Sequence, residues 1–129
     1  TPHFSLSEFS CRDGAPYPAE WIDDRLRPLC LVLEAIRDAC DRSVTILSGY
    51  RTPAHNRRIG GARRSQHLEG RAADIQVPTI PPARVHQVAL ELMAAGRIRV
   101  GGLGLYGTFV HVDVRLGRLA RWTGSRADG

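Results

Sequence analysis

Ser65-Gln66-His67-Leu68-Glu69-Gly70-Arg71-Ala72-Ala73-Asp74 is the stretch on which the reading of this chain turns. His67 and Asp74 stand seven residues apart, with a glycine and two alanines between them. Glycine enters the left-handed backbone region that a sharp reversal needs. A loop that turns at Gly70 into a strand would return Asp74 to the level of His67, and the small side chains leave room for close packing. The apolar continuation through Ile75 and Val77 predicts a strand over 72–77.

Upstream, Ile22, Leu26, Leu29, Leu33, Ile36 and Cys40 recur every three or four positions, which predicts an amphipathic helix from Ala19 to about Asp41. Pro28 should kink it or mark a restart, because proline lacks the amide proton that a continuing helix needs. Val44 to Leu47 reads as a short strand running into a loop at Ser48 and Gly49. Thr52 and Pro53 resemble an N-cap and a first helical residue, and Gly60 with Gly61 should stop that short helix. The first eighteen residues, with Pro2, Gly14, Pro16 and Pro18, read as an irregular arm in which Ser7 caps at most one turn.

Downstream, Pro81 and Pro82 open a second long helix that runs to Ala95, carries Val85, Val88, Ala89, Leu92 and Met93 on one face, and ends at Gly96. In the tail, Val110, Val112 and Val114 point to one side of a strand while His111, Asp113 and Arg115 point to the other. Leu116 to Arg118 reads as the turn into a final strand through Trp122. Helices and neighbouring strands in this order predict an α+β fold, a small antiparallel sheet flanked by helices, in a single domain over 1–129 with an arm at 1–18.

Composition narrows the function. With 129 residues and 43% apolar content the chain suits one globular domain, and no apolar run approaches the roughly 20 residues that cross a bilayer. The net charge of +5 comes from 18 basic residues that are all arginine. A pI near 9.9 favours an anionic partner: nucleic acid, an anionic membrane or a bacterial wall. The densest group, Arg57, Arg58, Arg63 and Arg64, is interrupted by Gly60 and Gly61 and has no aromatic interleaved, so base stacking is unsupported and no nucleic-acid partner is expected.

The three cysteines, Cys11, Cys30 and Cys40, show no C-x-x-C spacing. Cys30 and Cys40 suit core packing, while a disulfide from Cys11 to either stays open and would indicate an oxidising compartment. No secretory leader is visible at Thr1, which is also what a trimmed mature chain shows.

Two further groups carry chemistry: Ser48-Gly49-Tyr50-Arg51 and Phe109-Val110-His111-Val112-Asp113. Two histidines and a carboxylate, His67, His111 and Asp74, are donors that zinc accepts with a fourth position left for water. By spacing alone, hydrogen-bonded histidines and a turn-holding aspartate remain open. No G-x-S-x-G elbow is present, so Ser48 and Ser65 read as turn residues rather than nucleophiles.

Residues 48–75 resemble the zinc D-alanyl-D-alanine carboxypeptidase family, which also holds phage L-alanyl-D-glutamate endolysins, penicillin-insensitive murein endopeptidases and the hedgehog signalling domain. Its Ser-x-His-x-x-Gly-x-Ala-x-Asp motif is matched by Ser65, His67, Gly70, Ala72 and Asp74. The Ser48–Arg51 run and His111 stand in the order the family uses, so the likeness covers about 43–115. The resemblance implies a hedgehog-like peptidase fold and one zinc ion on His67, Asp74 and His111. It further implies that Arg51 holds or polarises the substrate, with Ser65 also on the substrate side.

Many relatives place an acidic residue three positions before the last zinc ligand, or a histidine two before it; here Thr108 and Phe109 stand there. The nearest carboxylate is Asp113, on the same strand face as His111, and a branch of murein endopeptidases also shows His-x-Asp. Asp113 is therefore the expected general base, against the alternative that it orients Arg51, Arg115 or a metal ligand. Glu69 is a weaker choice, and His55 and His86 read as surface residues of helices.

The function so implied is a zinc peptidase that hydrolyses peptidoglycan stem peptides with a metal-activated water, as a D-Ala-D-Ala carboxypeptidase or a murein endopeptidase. The alternative is a non-catalytic zinc module that binds wall or protein partners. A monomer acting outside the cytoplasm, in periplasm, wall or medium, is expected, with lysin-type storage in the cytoplasm as the other option. The length leaves the arginines, rather than a separate wall-binding domain, to supply attraction to the wall.

Overall fold

The computed structural model describes residues 1–124, so residues 125–129 of the domain expected over 1–129 lie outside it. The first long helix restarts where the proline requires. A single 3-10 turn at Ala19–Trp21 leads into a wide π turn at Ile22–Leu26, and only then does helix α1 run, over Arg27–Cys40. Pro28 has no amide proton for the carbonyl of Asp24, and the chain closes the preceding turn instead with a bond from the Arg27 amide to the Ile22 carbonyl. Leu29, Cys30, Val32, Leu33 and Ile36 form the buried stripe of α1.

Strand β1 (Thr45–Ser48) is followed by helix α2 (Pro53–Arg58), whose N-cap Thr52 accepts a hydrogen bond from the His55 amide at 3.1 Å. A 3-10 turn at Gln66–Glu69 leads into β2 (Ala72–Gln76), then helix α3 (Pro82–Ala94) and the strands β3 (Gly102–Leu105), β4 (Val110–Asp113) and β5 (Ala120–Thr123). The strands form one sheet in the order β1-β2-β4-β3-β5. Neighbours are antiparallel except β3 and β5, which are parallel. The sheet is therefore mixed rather than wholly antiparallel. Both edges of β4 are taken, by β2 and by β3, so the strand through Trp122 joins the outer edge of β3.

Strand β3 is not foreseen from the sequence, because glycine, two of its four residues, is depleted in strands. Both glycines are there for close approach. A Cβ on Gly102 would run into the carboxylate of Asp113, and one on Gly104 would meet the Trp122 indole at 2.6 Å.

The valine face of β4 packs with Ala73, Ile75 and Leu103 in a core that also takes in the buried faces of α1 and α3. The opposite face carries Asp74, His111 and Asp113. The arm at 1–18 is more ordered than expected. Phe4, Phe9, Cys11 and Tyr17 are buried, and Ser5, not Ser7, caps the 3-10 turn Leu6–Phe9, its amide donating to Glu8 Oε1 at 2.9 Å. All three cysteines are free thiols, so the disulfide left open from the sequence is not formed. Among the described residues no helix is long and apolar enough to cross a membrane.

Gly70 ends the 3-10 turn at φ 67°, and its carbonyl accepts the Tyr17 hydroxyl at 2.6 Å. A Cβ there would stand 2.7 Å from the Trp21 ring and 2.8 Å from the Tyr17 oxygen. Gly70→Ala is expected to cost about 1–3 kcal/mol in urea unfolding. Gly96→Ala, at φ 70° with nothing within 4 Å, should cost less and isolates the backbone part.

Candidate metal centre

The turn at Gly70 and the pairing of β2 with β4 assemble the site. Asp74 lies directly opposite His111 in the β2–β4 register, so both side chains stand on the same face. One row runs across the sheet through Ser48, Asp74, His111, Gly104 and Trp122. Ser48 reaches that row because the β1–β2 register shifts between Ile46 and Ser48, as at a β-bulge. Ser65 caps the 3-10 turn, its hydroxyl accepting from the His67 amide at 3.1 Å, and this fixes where His67 starts.

Each imidazole is tied at its outer nitrogen. His67 Nδ1 donates to the Gly49 carbonyl at 2.7 Å, which leaves Nε2 turned to Asp74 Oδ1 at 3.1 Å. His111 Nε2 donates to Asp113 Oδ2 at 2.8 Å, which leaves Nδ1 turned to the same Asp74 oxygen at 3.2 Å. In neutral imidazoles those inner nitrogens are acceptors, so two lone pairs converge on a carboxylate oxygen. Such a group needs extra protons or a cation. Its ligand atoms lie within 4.8 Å of one another, and the set of two imidazoles and a carboxylate suits zinc, with an acceptor behind each histidine.

Arg51 and Asn56 back the cluster. Arg51 Nη2 donates to Asp74 Oδ2 at 3.1 Å, Nε to Ser48 Oγ at 3.1 Å and Nη1 to Asn56 Oδ1 at 3.2 Å. Asn56 in turn donates to the Ala62 carbonyl at 2.9 Å. Arg51, Asp74 and a stretch of surface at Arg12, Leu47, Ser48, His55 and Ile59 line one cleft.

Asp113 lies behind His111. Its Oδ2 accepts from His111 Nε2 and from Arg115 Nη2 at 2.6 Å and Nε at 3.1 Å, while Oδ1 accepts the Arg115 amide at 3.0 Å and Nε at 2.9 Å. Trp122 packs on the His111 ring at 5.0 Å between centroids, and its indole nitrogen donates to the Tyr106 hydroxyl at 2.9 Å. His67, Asp74, His111, Asp113 and Arg51 are each at most 2% exposed.

Burial dominates the electrostatics. It pushes the His67 imidazole below its ordinary pKa, against the pull of Asp74. It also works against a charged His111, but hydrogen bonds to Asp113 and Asp74 outweigh it and raise that group. Burial works to raise both carboxylates too, yet His67 and His111 hold Asp74 well below the usual range, and His111 with Arg115 holds Asp113 at about 2.

The structure thus brings together His67, Asp74 and His111, with Arg51 on Asp74, Ser65 behind His67 and Asp113 behind His111. Glu69 points elsewhere, 3.9 Å from Arg25, and the carbonyl of Thr108 accepts Gln76 Nε2. Asn56, Trp122, Gly102 and Gly104 were not singled out from the sequence as site residues, while Arg115 stands where the alternative role of Asp113 placed it. The alternation of Gly102 and Gly104, two apart on one strand face, is the signal that was there to be read.

A family model described as Peptidase M15 matches residues 2–113. The chain is 31% identical over 88 residues to the probable peptidoglycan L,D-endopeptidase MepK of Haemophilus influenzae, a stretch covering 63% of this chain and 43% of that protein. It is 32% identical over 79 residues to the peptidoglycan L,D-endopeptidase MepK of Escherichia coli K12, covering 56% and 40% respectively. The chain matches less than half the length of these relatives.

Proposed function

Because the chain belongs to the M15 peptidase family, we propose that it is a zinc-dependent peptidase acting on the stem peptides of bacterial peptidoglycan, with His67, Asp74 and His111 holding the ion. The observation that carries this is the convergence of two imidazole nitrogens on one oxygen of Asp74, each ring tied at its other nitrogen to an acceptor. When bound, zinc supplies Lewis acidity toward a peptide carbonyl and a water. The activity named for the relatives, peptidoglycan L,D-endopeptidase, favours endopeptidase action over removal of a terminal D-Ala. The substrate class implies work outside the cytoplasm, and a monomer is the proposed state.

In this reading Arg51 has two tasks. It occupies Asp74 Oδ2 so that Oδ1 stays toward the histidines, and from the floor of the cleft it meets the acyl carbonyl of the substrate with a fixed donor fork. Ser65 acts through His67, whose amide it caps. For Asp113 we favour the orienting role over that of general base. A carboxylate offers about four lone-pair sites, and those of Asp113 are engaged by His111 and Arg115.

A second reading, a non-catalytic zinc module that binds wall, is favoured by that same engagement together with Thr108 standing where an acid is common. Digestion of purified peptidoglycan by zinc-loaded protein, chelated protein and His67→Ala separates the two. Released fragments, identified by mass spectrometry, should fall by on the order of 10³-fold on chelation or in His67→Ala. Unchanged release after complete zinc removal sinks the peptidase mechanism, and wall binding without any release establishes the second reading.

A further inference from the structure

The structure assigns a second divalent-metal site to Cys11, Asp13 and His55, which shares no residue with the His67–Asp74–His111 centre. One ligand atom from each of the three lies within 4.8 Å of the other two. The donors are a thiolate, a carboxylate and an imidazole, a borderline set that suits zinc better than calcium or magnesium. Three protein ligands leave a fourth position for solvent. Asp13 is exposed, which supplies the way in, while Cys11 is buried on the other side.

The loop that presents Cys11 and Asp13 is tightly closed. The Cys11 amide donates to the Ala15 carbonyl at 2.9 Å, and the Gly14 amide donates to the Cys11 carbonyl at 3.0 Å. Thr52 then ties all three ligand residues together. Its amide donates to Cys11 Sγ at 3.5 Å, its hydroxyl donates to Asp13 Oδ2 at 2.8 Å, and the same hydroxyl accepts from the His55 amide at 3.1 Å. These bonds hold the three donor residues at a fixed spacing.

A separate observation points to a ligand. His55 Nδ1 is buried and has no hydrogen-bond partner, the one side-chain nitrogen or oxygen so left among the described residues. Buried polar atoms are rarely left unsatisfied, and a bound ion is one of the few things that accounts for one. A metal here would staple the N-terminal loop to α2, where the neighbouring Asn56 holds Arg51.

Cobalt(II) titration of the reduced chain tests the assignment without reference to peptidase activity. The first centre contains no sulfur, so a cobalt–thiolate charge-transfer band reports the second site alone. Wild type should take up about two equivalents and develop the band, with loss of the thiol proton. His67→Ala should lose about one equivalent and keep the band. Cys11→Ser should abolish the band, and His55→Ala and Asp13→Asn should each weaken its binding constant by about tenfold or more.

No band in wild type, a band that survives Cys11→Ser, or a band indifferent to both His55→Ala and Asp13→Asn overturns the assignment. Alkylation of wild type, followed by mass spectrometry, needs no variant: saturating zinc should slow labelling of Cys11 by about tenfold or more relative to Cys40. Equal slowing at both thiols overturns it as well. Failure at His67 with the band intact counts against the first centre only, so the two ideas fall separately.

Discussion

Asp74→Ala is expected to abolish metal uptake at the His67–Asp74–His111 centre and to destabilise the metal-free fold by about 3–5 kcal/mol. Both effects follow from where the carboxylate sits. It provides the only anionic donor in that set of three, and it is the ion-pair partner of an Arg51 guanidinium that is itself 1% exposed. Ser48 and Asn56 are neutral acceptors, so removal of the carboxylate takes from a buried cation an ion pair at 3.1 Å that they do not replace. Asp74→Asn keeps the volume and an oxygen for Arg51, and should lose the metal with a smaller stability cost. Metal content after dialysis and urea unfolding in chelator read the two effects apart. A metal-free Asp74→Ala as stable as wild type contradicts the ion-pair argument, and unchanged metal content contradicts the ligand assignment.

Asp113→Asn carries the second large effect, and its form decides what Asp113 does. If the carboxylate orients His111, zinc affinity should fall about 10- to 100-fold while turnover at saturating zinc recovers most of its value. If it is the base, affinity should hold and kcat should fall by about 10²- to 10⁴-fold. The first outcome is expected, because His111 and Arg115 between them occupy both oxygens of a fully buried group. Zinc titration at fixed substrate, followed by kcat at saturation, gives both numbers from one preparation. A base role established in this way would require Arg115 to release the carboxylate during turnover.

Much of the site was legible because its signals are local. The reversal at Gly70 was read from the spacing of His67 and Asp74, and the strand face of His111 from its alternation with Val110 and Val112. Thr52 and Pro53 announced α2, and Pro28 announced the restart of α1. What was not legible depends on partners far along the chain. His55 looked like a surface residue because nothing in its neighbourhood shows that the loop carrying Cys11 and Asp13 folds back onto it. The sequence offers Arg51 as a substrate group, and only the packed structure shows that it also donates to Ser48, Asn56 and Asp74.

By itself, the amino-acid order determined the helices, the strands other than β3 and which face of β4 carries chemistry, and its motif, through the family resemblance, grouped His67, Asp74 and His111. Backbone sterics and side-chain periodicity act over a few residues and leave their mark on composition. Only the tertiary structure decided the order of the strands, the parallel pairing of β5 with β3 and the clamp of His111 and Arg115 on Asp113. Period-two alternation assigns a face but not a neighbour. The glycines of β3 make sense as strand residues only once Asp113 and Trp122 lie across from them, filling the space where side chains would stand.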